Sequence, residues 1–238
     1  MPSAVTNNKT KSLALAFLII ILLSSIITFF IGAAMSQNTP IRVACVGDSI
    51  TEGSGYPYKL QLMLGSKYFV GNFGVSGSTV SQDSIRPYMN QSAYKQAKDF
   101  DPDIIIIMLG TNDANPEIAL CEDTFSDDYS QLVTSFQQLD GKQLIWIAES
   151  PPIYSTTSNW NNTYLSNSVL PQIENLANQM NLPTINMYET FTDHPDYFAD
   201  GIHPNADGAL LLASTVYYAI TTSDGSPDFS VFNEQYIS

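Results

Sequence analysis

Five short apolar runs after residue 40 constrain the fold more than any other feature of the sequence. They are IRVACV at 41–46, YFVGNF at 68–73, DIIIIML at 103–109, KQLIWIA at 142–148 and LPTINMY at 182–188. Runs that lack polar alternation are typical of strands covered on both faces, and the lengths between the runs suit crossover helices. The pattern therefore predicts a parallel α/β sheet.

Segments with helical character separate or follow these runs, at 56–65, 125–139, 169–180 and 206–220. In the last segment, apolar residues recur at spacings of three and four, which indicates a stripe facing the core: Ala209, Leu212, Ala213 and Val216. The prediction is a single flavodoxin-like, three-layer α/β/α domain with a central parallel sheet of about five strands.

An uncharged apolar stretch precedes this domain and predicts one N-terminal hydrophobic helix. Lys9 and Lys11 are followed by 19 residues without a charge, from Leu13 to Ile31. At ~1.5 Å of rise per residue, a helix of this length nearly crosses a ~30 Å hydrocarbon core. Two interpretations stay open: a signal peptide cleaved after the small residues at 32–34, or an uncleaved signal anchor, which the length of the stretch favours.

Both interpretations predict two parts, a cytoplasmic stub with its membrane signal over 1–35 and a single globular domain over 36–238. The domain is then exported, and it contacts the membrane only through residues 13–34. The sequons at Asn90 and Asn161 matter only if the source organism glycosylates its exported proteins.

Charge and cysteine content exclude several classes of partner and cofactor. Residues 35–238 carry 7 basic and 23 acidic residues, a formal charge of −16. A domain this acidic repels phosphate backbones, so we predict no nucleic-acid partner. Two cysteines, Cys45 and Cys121, are too few for a disulfide framework. One bridge between them stays open but no spacing rule supports it, and Cys45 is expected to be a buried thiol. No CxxC or HExxH pattern occurs, so neither a metal nor another cofactor is predicted.

Three polar motifs lie where the first three predicted strands end. They are GDS at 47–49, GVSGST at 74–79 and GTND at 110–113. In an open α/β sheet, ligands bind beyond the carboxyl ends of the strands. Ser49 is therefore a candidate nucleophile and more than a turn residue, provided that the chain also supplies a base, an orienting acid and donors for an oxyanion.

The search for a base is short because the chain has two histidines, His194 and His203. His203 directly precedes the last predicted helix, and Asp200 lies three residues before it. Both side chains can then point into one site, where the carboxylate accepts from one ring nitrogen and the other nitrogen faces Ser49. His194 lacks such a setting and is predicted to be a surface loop residue.

Together the blocks GDSI, NFGVSG, GTND and DGIHPN occur in this order over residues 47–205, and they resemble the four blocks of the SGNH (GDSL) hydrolases. The resemblance covers essentially the whole predicted domain. It implies that Ser49 is the nucleophile, that His203 is the general base and acid, and that Asp200 is its orienting partner.

The resemblance also implies three oxyanion-hole donors: the backbone N–H groups of Ser49 and Gly77 and the side-chain amide of Asn112. These residue types suit the task, since a glycine lets the backbone approach a substrate and an asparagine amide is a neutral donor that does not titrate. For Asp48, Thr51 and Asp113 we predict instead that the side chains hold the loops by hydrogen bonds to the backbone.

The stretches FGVSG, DIIIIMLGTNDA and HPDYFADGIHPNADGA are most similar to the carbohydrate O-acetylesterase branch of the family. This implies a serine esterase that hydrolyses short-chain, chiefly O-acetyl, esters of a small molecule or polysaccharide. A lysophospholipase or thioesterase is the alternative on the same scaffold. A catalytically silent cell-surface binding module is the alternative of another class, and the presence of all three triad residues disfavours it.

Three aromatic residues in the long connection around 150–165 leave two interpretations open. Tyr154, Trp160 and Tyr164 either form a wall on which a sugar stacks or pack against the core.

Overall fold

The computed structural model describes residues 17–26, 39–119, 124–139, 143–156 and 159–222, together with Leu13 and Leu15. The chain divides into two units, Met1–Pro40 and Ile41–Ser238. In the first unit, residues 17–26 form a helix. Across the described ranges, no helix has both the length and the hydropathy that a membrane crossing requires. Much of the predicted membrane segment 13–34 lies outside the described residues, so that segment stays a prediction.

The second unit is built on a five-stranded parallel sheet. Its strands lie in the order β2-β1-β3-β4-β5, and each neighbouring pair is parallel: β1 Ile41–Gly47, β2 Tyr68–Gly74, β3 Ile104–Met108, β4 Leu144–Ala148 and β5 Thr184–Ile185. This is the flavodoxin-like strand order. The predicted fold class is confirmed.

Helices connect and cover the strands: α1 Ser49–Gly53, α2 Tyr56–Leu64, α3 Ser92–Asp99, α4 Phe125–Gln137, α5 Leu170–Met180, α6 Met187–Phe191 and α7 Ala206–Thr221. A helical turn at Asn162–Tyr164 runs through one wide turn, Leu165–Val169, into α5. The sequence predicted α2, α4, α5 and α7 to within two residues at each end.

Alternate side chains of β1 and β3 pack into two separate apolar clusters, one on each face of the sheet. One cluster includes residues of α4 and α5 and takes Ala44, Val46, Ile105 and Ile107. The other includes residues of α2 and α7 and takes Val43, Cys45, Ile104, Ile106 and Met108. Both faces are covered, which explains why these strands lack polar alternation. Cys45 is confirmed as a buried thiol, and burial raises its pKa to about 12.

The fifth strand is shorter than predicted. We expected a strand over 182–188, but the strand is limited to Thr184–Ile185 and α6 begins at Met187. The side chain of Asn186 accepts a hydrogen bond from the backbone N–H of Glu189 at 2.8 Å and so caps the helix. The apolar run thus continues as a helix, because a short run of this kind does not by itself distinguish strand from helix.

The three polar motifs meet at the carboxyl edge of the sheet because β1, β2 and β3 are adjacent and parallel. The N–H of Val75 donates to the carbonyl oxygen of Gly47 at 2.9 Å, which joins the first two motifs. A Cβ added at Gly74 would lie 2.2 Å from the backbone nitrogen of Glu52. Only glycine at this position lets α1 lie against the end of β2.

Candidate active site

Ser49 and His203 form a hydrogen bond although 154 positions separate them in the sequence. Ser49 is the first residue of α1, and His203 lies in the turn before α7. The Nε2 atom of His203 is 2.9 Å from Oγ of Ser49, and its Nδ1 atom is 2.6 Å from Oδ2 of Asp200. The structure therefore brings the three predicted triad residues into one chain of hydrogen bonds, in the order that base catalysis requires.

The carboxylate of Asp200 is also held by the backbone of its own turn. Its Oδ1 atom accepts hydrogen bonds from the N–H groups of Ile202 at 2.9 Å and His203 at 2.7 Å. Burial acts to raise the pKa of Asp200, but the hydrogen bonds from the backbone and ring of His203 and from Ile202 outweigh it and lower the pKa to about 2. Asp200 is therefore ionised at neutral pH and can stabilise an imidazolium.

The segment at Tyr154 supports the turn that carries Asp200 and His203. The N–H groups of Tyr154 and Ser155 donate to the carbonyl oxygen of Gly201 at 2.7 and 3.1 Å. Gly201 has a φ of +79°, and a Cβ there would lie 2.4 Å from the nitrogen of Ser155. The turn thus needs glycine at this position for both its conformation and its packing.

The aromatic residues of this region make the contacts that the packing interpretation predicted. The hydroxyl of Tyr154 bonds to the carbonyl oxygens of Phe191 and Thr192, and its ring lies 5.4 Å from that of Phe198. Trp160 and Tyr164 are half-buried against the apolar cluster of α4 and α5.

Asn112 is buried in the segment that follows β3, and its amide is anchored to the loop that follows β2. Its Nδ2 atom donates to the carbonyl oxygen of Ser78 at 3.0 Å. An amide nitrogen carries two hydrogens, so this bond leaves one for another acceptor. Gly77, next to Ser78, has a φ of +76°, in the left-handed region that favours glycine. The structure therefore brings the Gly77 and Asn112 loops together, and the donor roles of Ser49, Gly77 and Asn112 stay predictions.

Two of the three predicted loop-holding side chains bond to the backbone as expected. Asp48 accepts from the N–H of Ile50 at 2.9 Å and caps α1. Asp113 accepts from the N–H groups of Val80 and Ser81, each at 3.0 Å. The prediction for Thr51 is wrong, because its buried hydroxyl has no backbone partner.

The second histidine takes no part in this hydrogen-bond chain. The ring of His194 is half-buried and stacks on that of Tyr197, with the two centroids 4.6 Å apart and an interplanar angle of 11°. It makes no hydrogen bond to Ser49. His194 is therefore a loop residue with a packing contact.

One contact beside Ser49 was not predicted from the sequence. Glu52, three residues after Ser49, accepts hydrogen bonds from both the backbone N–H and the hydroxyl of Ser76, which precedes Gly77. The sequence feature that could have indicated this contact is the spacing between Glu52 and Ser49 on the short helix α1, because residues three apart on a helix share a face.

The buried carboxyl group of Asp48 makes the stability of the fold depend on pH. Burial raises its pKa from 3.8 to about 7, and the neighbouring charge of Asp113 adds to this. Because the folded-state pKa lies above the ordinary value, the folded state binds more protons than the unfolded state between these two pKa values. Stability contributed by this group is therefore lost as the pH rises through that window.

We expect Asp48→Asn to raise the melting temperature at pH 8 and to change it little at pH 4, because pH 4 lies close to the ordinary pKa of 3.8, at the lower end of the window in which the two states bind different numbers of protons. Asparagine retains the helix cap, and each 1 kcal/mol gained corresponds to about 2–4 °C in a domain of this size. Thermal unfolding followed by circular dichroism at the two pH values measures the difference. An equal gain at both would contradict the buried-charge account.

Sequence and structural comparisons place the chain among known hydrolases. The sequence profile of the GDSL-like lipase/acylhydrolase family matches residues 45–211. The chain belongs to this family. The matched range contains the four blocks GDSI, NFGVSG, GTND and DGIHPN, and the family predicted from those blocks is confirmed. Lipases and acylhydrolases are enzymes that hydrolyse esters.

One relative of this GDSL-family chain has a name that refers to a carbohydrate ester. An acetylxylan esterase from Xylanibacter ruminicola is 34% identical over 210 residues, which cover 77% of this chain and 44% of that protein. The chain thus spans less than half the length of this relative.

Solved structures show the same fold as this GDSL-family chain. A carbohydrate acetylesterase family member from Sinorhizobium meliloti superposes with a TM-score of 0.60 at 22% identity, covering 76% of this chain and 97% of that one. An acetyl xylan esterase superposes with a TM-score of 0.62 at 20% identity, covering 76% of this chain and 100% of the other.

Among the residues that the structure describes, no group of three or more His, Cys, Asp or Glu side chains could hold a metal ion.

Proposed function

We propose that this protein is a serine esterase that removes short acyl groups, chiefly O-acetyl groups, from carbohydrate. The observation that carries the proposal is the hydrogen-bonded chain from Asp200 through His203 to Oγ of Ser49. The acetyl and carbohydrate parts are supported by the 34% identity to an acetylxylan esterase.

In the acylation step, Oγ of Ser49 attacks the carbonyl carbon of the ester while Nε2 of His203 takes its proton. The ionised Asp200 holds the ring and stabilises the imidazolium that forms. When the tetrahedral intermediate collapses, the bond to the sugar oxygen breaks and His203 gives its proton to that oxygen. The sugar leaves as an alcohol, and the acyl group remains on Ser49.

In the deacylation step, His203 takes a proton from a water molecule that attacks the acyl carbon. The ester bond to Ser49 then breaks, the proton passes to Oγ, and the carboxylic acid is released. The negative charge on the carbonyl oxygen in both steps is stabilised by the N–H groups of Ser49 and Gly77 and by the free N–H of the Asn112 amide.

We expect the acetyl ester to be the fastest substrate in a series of p-nitrophenyl esters of rising acyl length, and acetate to be released from acetylated xylan or acetylated sialic acid. A chelator should not change the rates, because side chains supply both the nucleophile and the base. Spectrophotometric rates and acetate assays measure these outcomes.

Two results would contradict this substrate assignment. A long-chain ester cleaved faster than the acetyl ester would favour the lysophospholipase alternative. Activity removed by a chelator and restored by zinc would show that the mechanism requires a metal.

We also propose that the domain acts outside the cytoplasm, either anchored by residues 13–34 or released after their cleavage. Support for export comes from the uncharged stretch from Leu13 to Ile31, which follows Lys9 and Lys11 in the sequence. Fractionation of the native source tests this, and recovery of the full-length chain in the cytoplasmic fraction would contradict it.

A further inference from the structure

A carboxylate from the nucleophile helix reaches the loop that carries Gly77. Oε2 of Glu52 accepts a hydrogen bond from the backbone N–H of Ser76 at 2.8 Å and a second from the hydroxyl of Ser76. Glu52 lies in α1, three residues after Ser49. The contact therefore connects the nucleophile's helix to the residue directly before Gly77.

The same two segments are also joined at Asn72, near the end of β2. Its Nδ2 atom donates to the carbonyl oxygens of Thr51 at 3.0 Å and Glu52 at 3.2 Å. Its Oδ1 atom accepts from the N–H of Gly74 at 2.9 Å. These bonds hold the backbone of α1 beside the end of β2, and they therefore fix the position of the Glu52 backbone from which its side chain extends.

A second carboxylate holds the other side of the Gly77 loop. Asp113 accepts from the N–H groups of Val80 and Ser81 and, at 2.8 Å, from the hydroxyl of Ser81. Gly77 thus lies between two anchored points, one tied to the nucleophile's helix and one to the Asn112 block. The backbone of Gly77 itself is in the left-handed region, and glycine, which has no Cβ, restricts its own backbone conformation less than any other residue.

We propose that Glu52 is a positioning residue of the oxyanion hole, which holds Ser76 so that the N–H of Gly77 faces the carbonyl oxygen of an ester bound at Ser49. The N–H of Gly77 belongs to the peptide group that begins at Ser76, so fixing Ser76 fixes the direction of that donor. This inference rests on the proposed esterase function and adds a residue to its site.

The chemistry of the contact suits this role. A carboxylate is an acceptor without a competing proton, and charge-assisted hydrogen bonds are the stronger kind. The two bonds from Ser76 lower the pKa of Glu52, so the group is ionised at neutral pH. Glu52 is exposed to solvent, where such bonds contribute little to global stability because water competes for both partners. Its loss should therefore affect catalysis more than folding.

The test compares Glu52→Ala, Glu52→Gln and Ser76→Ala with the unaltered protein on p-nitrophenyl acetate. We expect Glu52→Ala to lower kcat by about 10- to 100-fold, less than the ~10²–10³-fold cost of losing a whole donor. KM should stay within about twofold, because the donor acts on charge that develops in the transition state. Glu52→Gln should lose less than Glu52→Ala, since its amide oxygen still accepts one bond.

Rates are divided by the concentration of active sites, measured by labelling with a serine-reactive phosphonate carried to completion. This correction removes any loss that comes only from misfolded protein. Glu117→Ala is the matched control, because Glu117 is an exposed glutamate whose side chain makes no hydrogen bond to a described residue. It should keep the kcat of the unaltered protein.

The outcomes separate this inference from the proposed function. If the unaltered protein cleaves no ester, the proposed function fails. If it is active and Glu52→Ala has the same kcat per active site, Glu52 does not position the donor and the inference is overturned. If Glu52→Ala does not fold, Glu52→Gln and Ser76→Ala provide the test in its place. A lowered kcat at unchanged KM in these two variants supports the inference. An unchanged kcat in both overturns it.

Discussion

Replacing Ser49 by alanine should lower kcat for ester hydrolysis on the order of 10⁴- to 10⁶-fold, and His203→Ala should have an effect of similar size. The reason is that Oγ of Ser49 forms the new bond to the acyl carbon, while Nε2 of His203, at 2.9 Å from it, takes the proton. Initial rates on p-nitrophenyl acetate measure both losses, and circular dichroism verifies that each variant is folded.

His194→Ala is the matched control for His203→Ala. His194 is the other histidine of the chain, and its ring stacks on Tyr197 instead of bonding to Ser49. The variant should retain most of the activity and lose at most some stability. A loss as large as that of His203→Ala would show that the roles of the two histidines have been assigned wrongly.

The second large effect is expected at Asn112. Asn112→Ala should lower kcat by about 10²–10³-fold, which corresponds to roughly 2.7–4 kcal/mol of transition-state stabilisation. The amide is held in place by its bond to the carbonyl oxygen of Ser78, so its remaining N–H is available for the oxyanion. KM should change little, because the interaction forms mainly in the transition state.

Asn115→Ala separates this catalytic role from a structural one. Asn115 is also buried, three residues further along, and its side chain accepts from the N–H of Glu117 at 3.0 Å. Both variants should lower the melting temperature, since each removes a buried polar side chain that is hydrogen-bonded. Only Asn112→Ala should lose kcat. Similar kcat values for the two variants would identify Asn112 as a structural residue.

The sequence predicted the centre of the fold well because the central strands are buried on both faces. β1 and β3 match the runs at 41–46 and 103–109 to within one or two residues at each end. The location of the candidate site could be predicted from the same pattern, because neighbouring parallel strands have their carboxyl ends at the same edge of the sheet. The contact of Ser49 with His203 was predicted because the chain has few histidines and one of them follows an aspartate at a suitable spacing.

Other features depend on tertiary contacts that a local pattern does not contain. The run at 182–188 becomes a two-residue strand and a helix because Asn186 caps α6. The bond between Glu52 and Ser76 joins residues 24 positions apart, and only the packing of α1 on the end of β2 makes it possible. The raised pKa of Asp48 likewise comes from burial, which the tripeptide GDS does not reveal.

The central claim is that Ser49 and His203 act as one catalytic unit, and the double variant Ser49→Ala with His203→Ala tests it most directly. Once the serine hydroxyl is gone, the histidine has no proton to take, so removing it should cost little more. We therefore predict that the residual kcat of the folded double variant equals that of either single variant within a few-fold. A residual rate that falls below both single variants by the product of their separate losses would contradict the account, because the two residues would then act independently.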